Sequence, residues 1–283
     1  MRSAALAVAF AVVGIAGAST IAAAPRPVGL RVVRLVDHSR VARFRDGSVR
    51  PRTLVTYVRY PRSGSGPFPL VVFVHGFALA PGTYVRLLDA WARAGYVVAA
   101  PLFPVEGAGA PGGPSESDLL NEPGDVAFVI TKLLSGPVRT LIDRSRIAVA
   151  GHSDGGVAAL AAAYATRLLD PRIDAAIVLS GAQPPGVRFD YATARPLLAV
   201  QGTADPINGP ANTRAFFALA HRPKFLLSLI GASHLPPYTS DGRQLGVVER
   251  ATIAFLDHYL RNAPLKPLLA AAPSGLARLA ADP

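Results

Sequence analysis

Cysteine is absent from the 283 residues, which excludes a disulfide framework, thiolate metal sites and a cysteine nucleophile. Charged side chains make up only 17% of the chain and apolar ones 51%. That balance excludes a disordered polyelectrolyte and leaves ample material for a core. Lysine occurs only as Lys132, Lys224 and Lys266, and tryptophan only as Trp91. The net charge of +11 is concentrated near the start, where residues 1–62 hold 11 arginines against Asp37 and Asp46. The remaining 221 residues carry 18 basic and 16 acidic side chains. With so little excess in the body and no aromatic interleaving, no nucleic-acid groove is expected. A local patch of Arg40, Arg43, Arg45, Arg50 and Arg52 is the candidate for association with an anionic cell envelope.

Met1-Arg2 precedes an uncharged, mostly apolar run from Ser3 to Ala24, ending in small residues. This is the layout of a secretory signal peptide, and its length also fits an uncleaved anchor. Residues 1–24 are therefore read as a leader, and the protein as secreted or envelope-associated.

The mature chain alternates short β-rich apolar runs with helix-like stretches, the pattern of a mostly parallel sheet covered by helices on both faces. Strands are expected at residues 31–36, 53–60, 70–74, 96–100, 147–150, 175–179, 197–200 and 225–230. Helices are expected at 83–94, 123–134, 155–169, 210–220 and 245–260. One α/β domain over residues 25–262 follows, with an eight-stranded sheet. Residues 263–283, rich in Ala and Pro, read as a weakly structured tail. No long insertion separates the sixth and seventh strands, so no large lid is expected.

Residues 146–150 run into Gly151-His152-Ser153-Asp154-Gly155-Gly156 and then into an Ala-rich helix. This is G-x-S-x-G between a strand and a helix, where a sharp turn lifts the serine hydroxyl above the sheet. The residues two before and two after must then lack side chains. A serine needs a histidine to take its proton, and the histidine needs a carboxylate to hold its tautomer. Of six histidines, His234 is best placed, on a loop at the C-terminal end of the last strand. His152 flanks the serine, His75 ends the third strand, and His38, His221 and His258 lie in loops or beside helices. Asp205 lies just past the seventh strand beyond Gly202. Asp174 precedes its strand, and Asp190 and Asp241 are weaker loop candidates. The order Ser153, Asp205, His234 is that of α/β-hydrolases. The tetrahedral anion of acyl transfer also needs preorganised donors. The N–H groups of Asp154 and of Phe77, after Val74-His75-Gly76, are the expected pair, and the Phe77 ring is a candidate wall of the acyl pocket.

On His75-Gly76-Phe77, Gly151 to Gly156, the Gly202 to Asp205 turn and Gly231-Ala232-Ser233-His234, the chain resembles the α/β-hydrolase superfamily. The branch it looks like holds chlorophyllases, platelet-activating-factor acetylhydrolases, dienelactone-hydrolase-like proteins and cutinase-type polyesterases. That resemblance implies hydrolysis of small or lipidic carboxylic esters through an acyl-enzyme, with no cofactor or metal. Two departures narrow it. Dienelactone hydrolases proper use a cysteine, absent here. Cutinase-type polyesterases usually carry a tryptophan after the sixth strand, where this chain has Ser180-Gly181-Ala182-Gln183. The competing expectations are a peptidase of the same fold and a hydrolase-fold binding protein without catalysis.

Overall fold

The structure, a computed structural model, describes residues 26–240 and 242–283. The expected leader, residues 1–24, and Asp241 lie outside the described residues.

Nine strands form one sheet: β1 (Val28–Arg43), β2 (Val49–Pro61), β3 (Phe68–Val74), β4 (Val97–Leu102), β5 (Ile142–His152), β6 (Ala175–Leu179), β7 (Leu197–Gly202), β8 (Lys224–Leu229) and β9 (Ala277–Asp282). Their order across the sheet is β1-β2-β4-β3-β5-β6-β7-β8-β9. From β4 to β8 every neighbouring pair is parallel. β1, β2 and β9 run antiparallel at the edges. The helices are α1 (Val85–Ala94), α2 (Glu122–Ser135), α3 (Asp154–Tyr164), α4 (Pro210–Leu219), α5 (Pro236–Thr239), α6 (Gly242–Arg261) and α7 (Lys266–Leu269).

The central strands are apolar on both faces because both are covered. In β3, Val71 and Phe73 belong to the core layer that holds Leu87 and Trp91 of α1 and Phe255 of α6, with the Phe73 ring edge-on to Trp91. Leu70, Val72 and Val74 of the same strand belong to the opposite core layer, with Val129 of α2, Leu160 of α3 and Phe216 of α4. Trp91 Nε1 also donates to Thr252 Oγ1 at 2.8 Å, tying α1 to α6.

All eight expected strands form, but the sheet has a ninth. Residues 277–282 of the expected weakly structured tail are β9, paired in register with β8 from Lys224↔Asp282 to Leu229↔Ala277. Ala-Arg-Leu-Ala-Ala-Asp has little β-propensity of its own. The unpaired edge of β8 supplies the ladder, and Leu279 packs against the core. The helix after Ser153 ends at Tyr164 rather than Leu169, since Ala165 turns extended and bridges Phe189.

The arginine patch is also smaller than its sequence suggests. Arg52 is 1% exposed and bound to Asp118 and Asp125. Arg40 pairs with Asp37 and Asp125. Arg43, Arg45 and Arg50 remain exposed.

Candidate active site

The turn at the C-terminal end of β5 holds Ser153 at φ 56° and ψ −122°, a left-handed conformation that costs a non-glycine residue energy. Neighbouring packing enforces it. A Cβ on Gly151 would overlap the Gly155 carbonyl, and one on Gly155 would overlap the carbonyls of Val74 and His75. The two glycines thus let β5, α3 and the end of β3 close on one another. Ser153 N–H donates to the Leu179 carbonyl at 3.0 Å, fixing the turn to β6.

The structure brings the three expected side chains together. His234 Nε2 lies 2.8 Å from Ser153 Oγ, and His234 Nδ1 lies 2.8 Å from Asp205 Oδ2. Asp205 is held by its own turn, its Oδ1 accepting from the N–H groups of Ile207 and Asn208 at 2.9 and 3.0 Å. Gln201 Nε2 adds a longer contact to Oδ2 at 3.3 Å. Burial pushes the Asp205 carboxyl up, but the hydrogen bonds from His234 and Ile207 outweigh it and leave the pKa below the ordinary value. An ionised Asp205 accepting at Oδ2 puts the His234 proton on Nδ1 and leaves Nε2 free to accept from the serine hydroxyl. The rejected carboxylates do other work: Asp174 accepts from Ile147 N–H at the opposite end of the sheet, and Asp190 accepts from Ala192 N–H.

The Phe77 and Asp154 amides lie on the two turns beside Ser153, and neither donates to a protein acceptor among the described residues. Asp154 opens α3, where the first N–H groups of a helix have no internal partner. Gly76 lets the first turn approach closely, since a Cβ there would sit 3.2 Å from Ser153 Cβ. Ser153, Phe77, Leu79, Ile207, His234 and Leu235 help to line a cavity of about 320 Å³. Its walls are mainly apolar, with Glu116 and Asp154 as carboxylates.

Sequence reasoning missed a buried relay behind these residues. Gly76 N–H donates to Tyr84 Oη at 3.2 Å, Tyr84 Oη lies 2.8 Å from His152 Nδ1, and His152 Nε2 lies 2.9 Å from the His234 carbonyl. With Nε2–H donating to that carbonyl, His152 links the loop after β3 to the loop carrying His234. Burial first, then the charge of His234, lowers the His152 pKa to about 3, so it is a neutral strut. His75 is likewise neutral, lowered to about 4 by burial. It accepts from Phe103 N–H at Nε2 and faces the Gly76 carbonyl with Nδ1. Adjacency to Ser153 was the only signal for His152; Tyr84 left none.

On the far side of Ser153 lies a second buried group that the sequence did not reveal. Glu106 and Glu122 are fully buried, and none of their four carboxyl oxygens receives a hydrogen bond from a donor. The Glu106 carboxyl faces both Glu122 and Asp154. Burial raises Glu106 to about 7 and Glu122 well above the usual carboxylate range, its proximity to Glu106 adding to the shift. Burial and then Glu116 also raise Asp154. Among the described residues no set of three or more His, Asp or Glu side chains converges as a metal site would.

Comparison with known proteins agrees with this architecture. No curated protein matches the sequence. Among solved structures, a ferulic acid esterase from Streptomyces cinnamoneus superposes with a TM-score of 0.70 at 24% identity, over 92% of this chain and 96% of that one. The chlorophyllase family model matches residues 35–184, more than half the chain, taking in the Phe77 turn and the whole strand–turn–helix around Ser153. The fold is that of the α/β-hydrolases, and the chain belongs to the chlorophyllase family, a family of esterase-like hydrolases.

Proposed function

We propose that the protein is an exported serine esterase that cleaves small or lipidic carboxylic esters through an acyl-enzyme. The observation that carries this reading is the continuous relay of two 2.8 Å contacts from Asp205 through His234 to Ser153 Oγ. Ser153 Oγ attacks the ester carbonyl as its proton passes to His234 Nε2, and Asp205 stabilises the resulting imidazolium. The carbonyl oxygen becomes an oxyanion facing the Phe77 and Asp154 amides; one such donor typically contributes about 10²–10³ in rate. His234 then returns the proton to the departing alkoxide, leaving the acyl group on Ser153. In the second half His234 takes a proton from water, the hydroxide adds to the acyl carbonyl, and the acid leaves as Ser153 recovers its proton.

Phe77, Leu79, Ile207 and Leu235 give the acyl or alcohol group apolar walls. Export is proposed on the leader alone, and N-terminal sequencing of protein recovered from the medium or envelope tests it. The catalytic reading is tested with p-nitrophenyl butyrate: the wild type is expected to release p-nitrophenol and Ser153→Ala to fall to the buffer rate. Full activity in Ser153→Ala, or none in the wild type, would contradict it.

A further inference from the structure

We infer that the substrate cavity selects esters that carry an ammonium group, with Glu116 and Asp154 as its recognition pair and the Phe77 ring as its aromatic wall. This rests on the serine esterase reading and extends it to a substrate class.

The chain as a whole is strongly basic at +11. Yet no lysine or arginine lines the cavity beside Ser153, while two carboxylates do. Asp154 directly follows the nucleophile, so its side chain belongs to the same residue as one of the two amides expected to meet the oxyanion. A neutral ester would develop negative charge beside a fixed negative charge, which opposes the reaction.

No lysine or arginine is among the groups that act on the Asp154 carboxylate. Glu106, fully buried and reached by no N–H or hydroxyl donor, faces Asp154 and is backed by Glu122. Arg52 pairs with Asp118 and Asp125, Arg40 with Asp37 and Asp125, and Arg45 donates to the Pro114 carbonyl. Glu116 is exposed at the rim, where an incoming cation meets it first. Carboxylates set against an aromatic ring and aliphatic walls match a substituted ammonium, whose charge pairs with the acids while its carbon substituents contact Phe77 and Leu79. A bound cation would also offset the penalty at the oxyanion, so its benefit would appear in kcat/KM.

The test compares each cationic ester with a neutral isostere of the same shape. On the alcohol side the pair is butyrylthiocholine and 3,3-dimethylbutyl thiobutyrate. On the acyl side it is p-nitrophenyl 4-(trimethylammonio)butyrate and p-nitrophenyl 5,5-dimethylhexanoate. Each ratio of kcat/KM is divided by the ratio of hydroxide-catalysed rates, which removes the intrinsic effect of the charge. At least one pair is expected to favour the cation by about tenfold, the scale of two partly exposed ion pairs. That preference should collapse toward unity in Glu116→Gln/Asp154→Asn and shrink in about 0.5 M NaCl, where charges are screened. Normalised ratios at or below unity for both pairs would overturn the inference, as would a preference unchanged in the double variant. In either case turnover of the neutral isosteres that is lost in Ser153→Ala leaves the esterase reading standing. Failure to turn over any of the four esters would overturn both.

Discussion

On the β7–β8 side of Ser153, each carboxylate oxygen of Asp205 accepts from a neighbour, and His234 is held at both ring nitrogens. On the β4–α2 side, Glu106 and Glu122 are just as deeply buried and have other carboxyls in place of N–H or hydroxyl donors. The first arrangement spends its polar groups on fixed geometry: each hydrogen bond lowers the freedom of the side chain that must meet the serine. The second holds protons or charge rather than position, because two facing carboxyls without cations cannot both ionise at low cost. Two polar regions flanking one hydroxyl thus suit different tasks in the proposed reaction, one aligning the proton transfer and the other setting the field around it.

The largest expected break in this comparison is Asp205→Asn. An amide can hold His234 in the wrong tautomer, with its proton on Nε2, so kcat should fall by about 10³–10⁴-fold. Steady-state kinetics on a p-nitrophenyl ester read this directly, and a loss below tenfold would mean that Asp205 does not orient His234. Next in size is Gly155→Ala, whose methyl group would collide with the Val74 and His75 carbonyls. Urea unfolding should show a loss of about 3 kcal/mol or more, since backbone on both sides leaves little room to relax.

The remaining effects depend on pH and separate the two flanks. His75 and His152 have folded pKa values of about 4 and about 3, below their ordinary 6.5. The unfolded chain binds those protons first, so this contribution to stability is complete above pH 6.5 and lost as pH falls through about 4 for His75 and about 3 for His152. Glu106 has the opposite sign: its folded pKa is raised from 4.5 to about 7, so its contribution is complete below 4.5 and lost as pH rises through 7. In the wild type the two slopes oppose each other between pH 4.5 and 6.5, and variants resolve them. His152→Gln should flatten the acid limb of a Tm-against-pH curve. Glu122→Gln, which gives Glu106 an amide donor, should raise stability at pH 8 by about 1–2 kcal/mol and leave it nearly unchanged at pH 4. Equal effects at both pH values would mean that the carboxyl pair does not titrate as described.

Much of the candidate site was legible because a sharp strand–turn–helix constrains the backbone. Gly151 and Gly155 flank Ser153 at the spacing the turn demands, and Asp205 and His234 follow strand ends that periodicity alone locates. The second flank left weaker marks. Glu122 reads as an ordinary acid in the first turn of a helix, where it favours the helix dipole, and only the packing of α2 buries it. Glu106 sits in a Gly- and Pro-rich stretch without periodicity. That stretch is fixed by pairing between loops, Ala78 N–H to the Glu106 carbonyl and Ala108 N–H to the Leu79 carbonyl. Arg52 was not readable: Arg50 has the same phase along β2 yet stays exposed, and what buries Arg52 is its pairing with Asp118 and Asp125. Nor was β9, because an Ala-rich hexapeptide acquires its strand from the partner edge rather than from its own side chains.

The central claim is that Ser153 is an activated nucleophile, and covalent labelling by a fluorophosphonate followed by peptide mass spectrometry tests it most directly. The account predicts one adduct, on Ser153, formed rapidly in the wild type and slowed severely in His234→Ala. No adduct on the folded protein, or labelling of Ser153 at the same rate without His234, would contradict it.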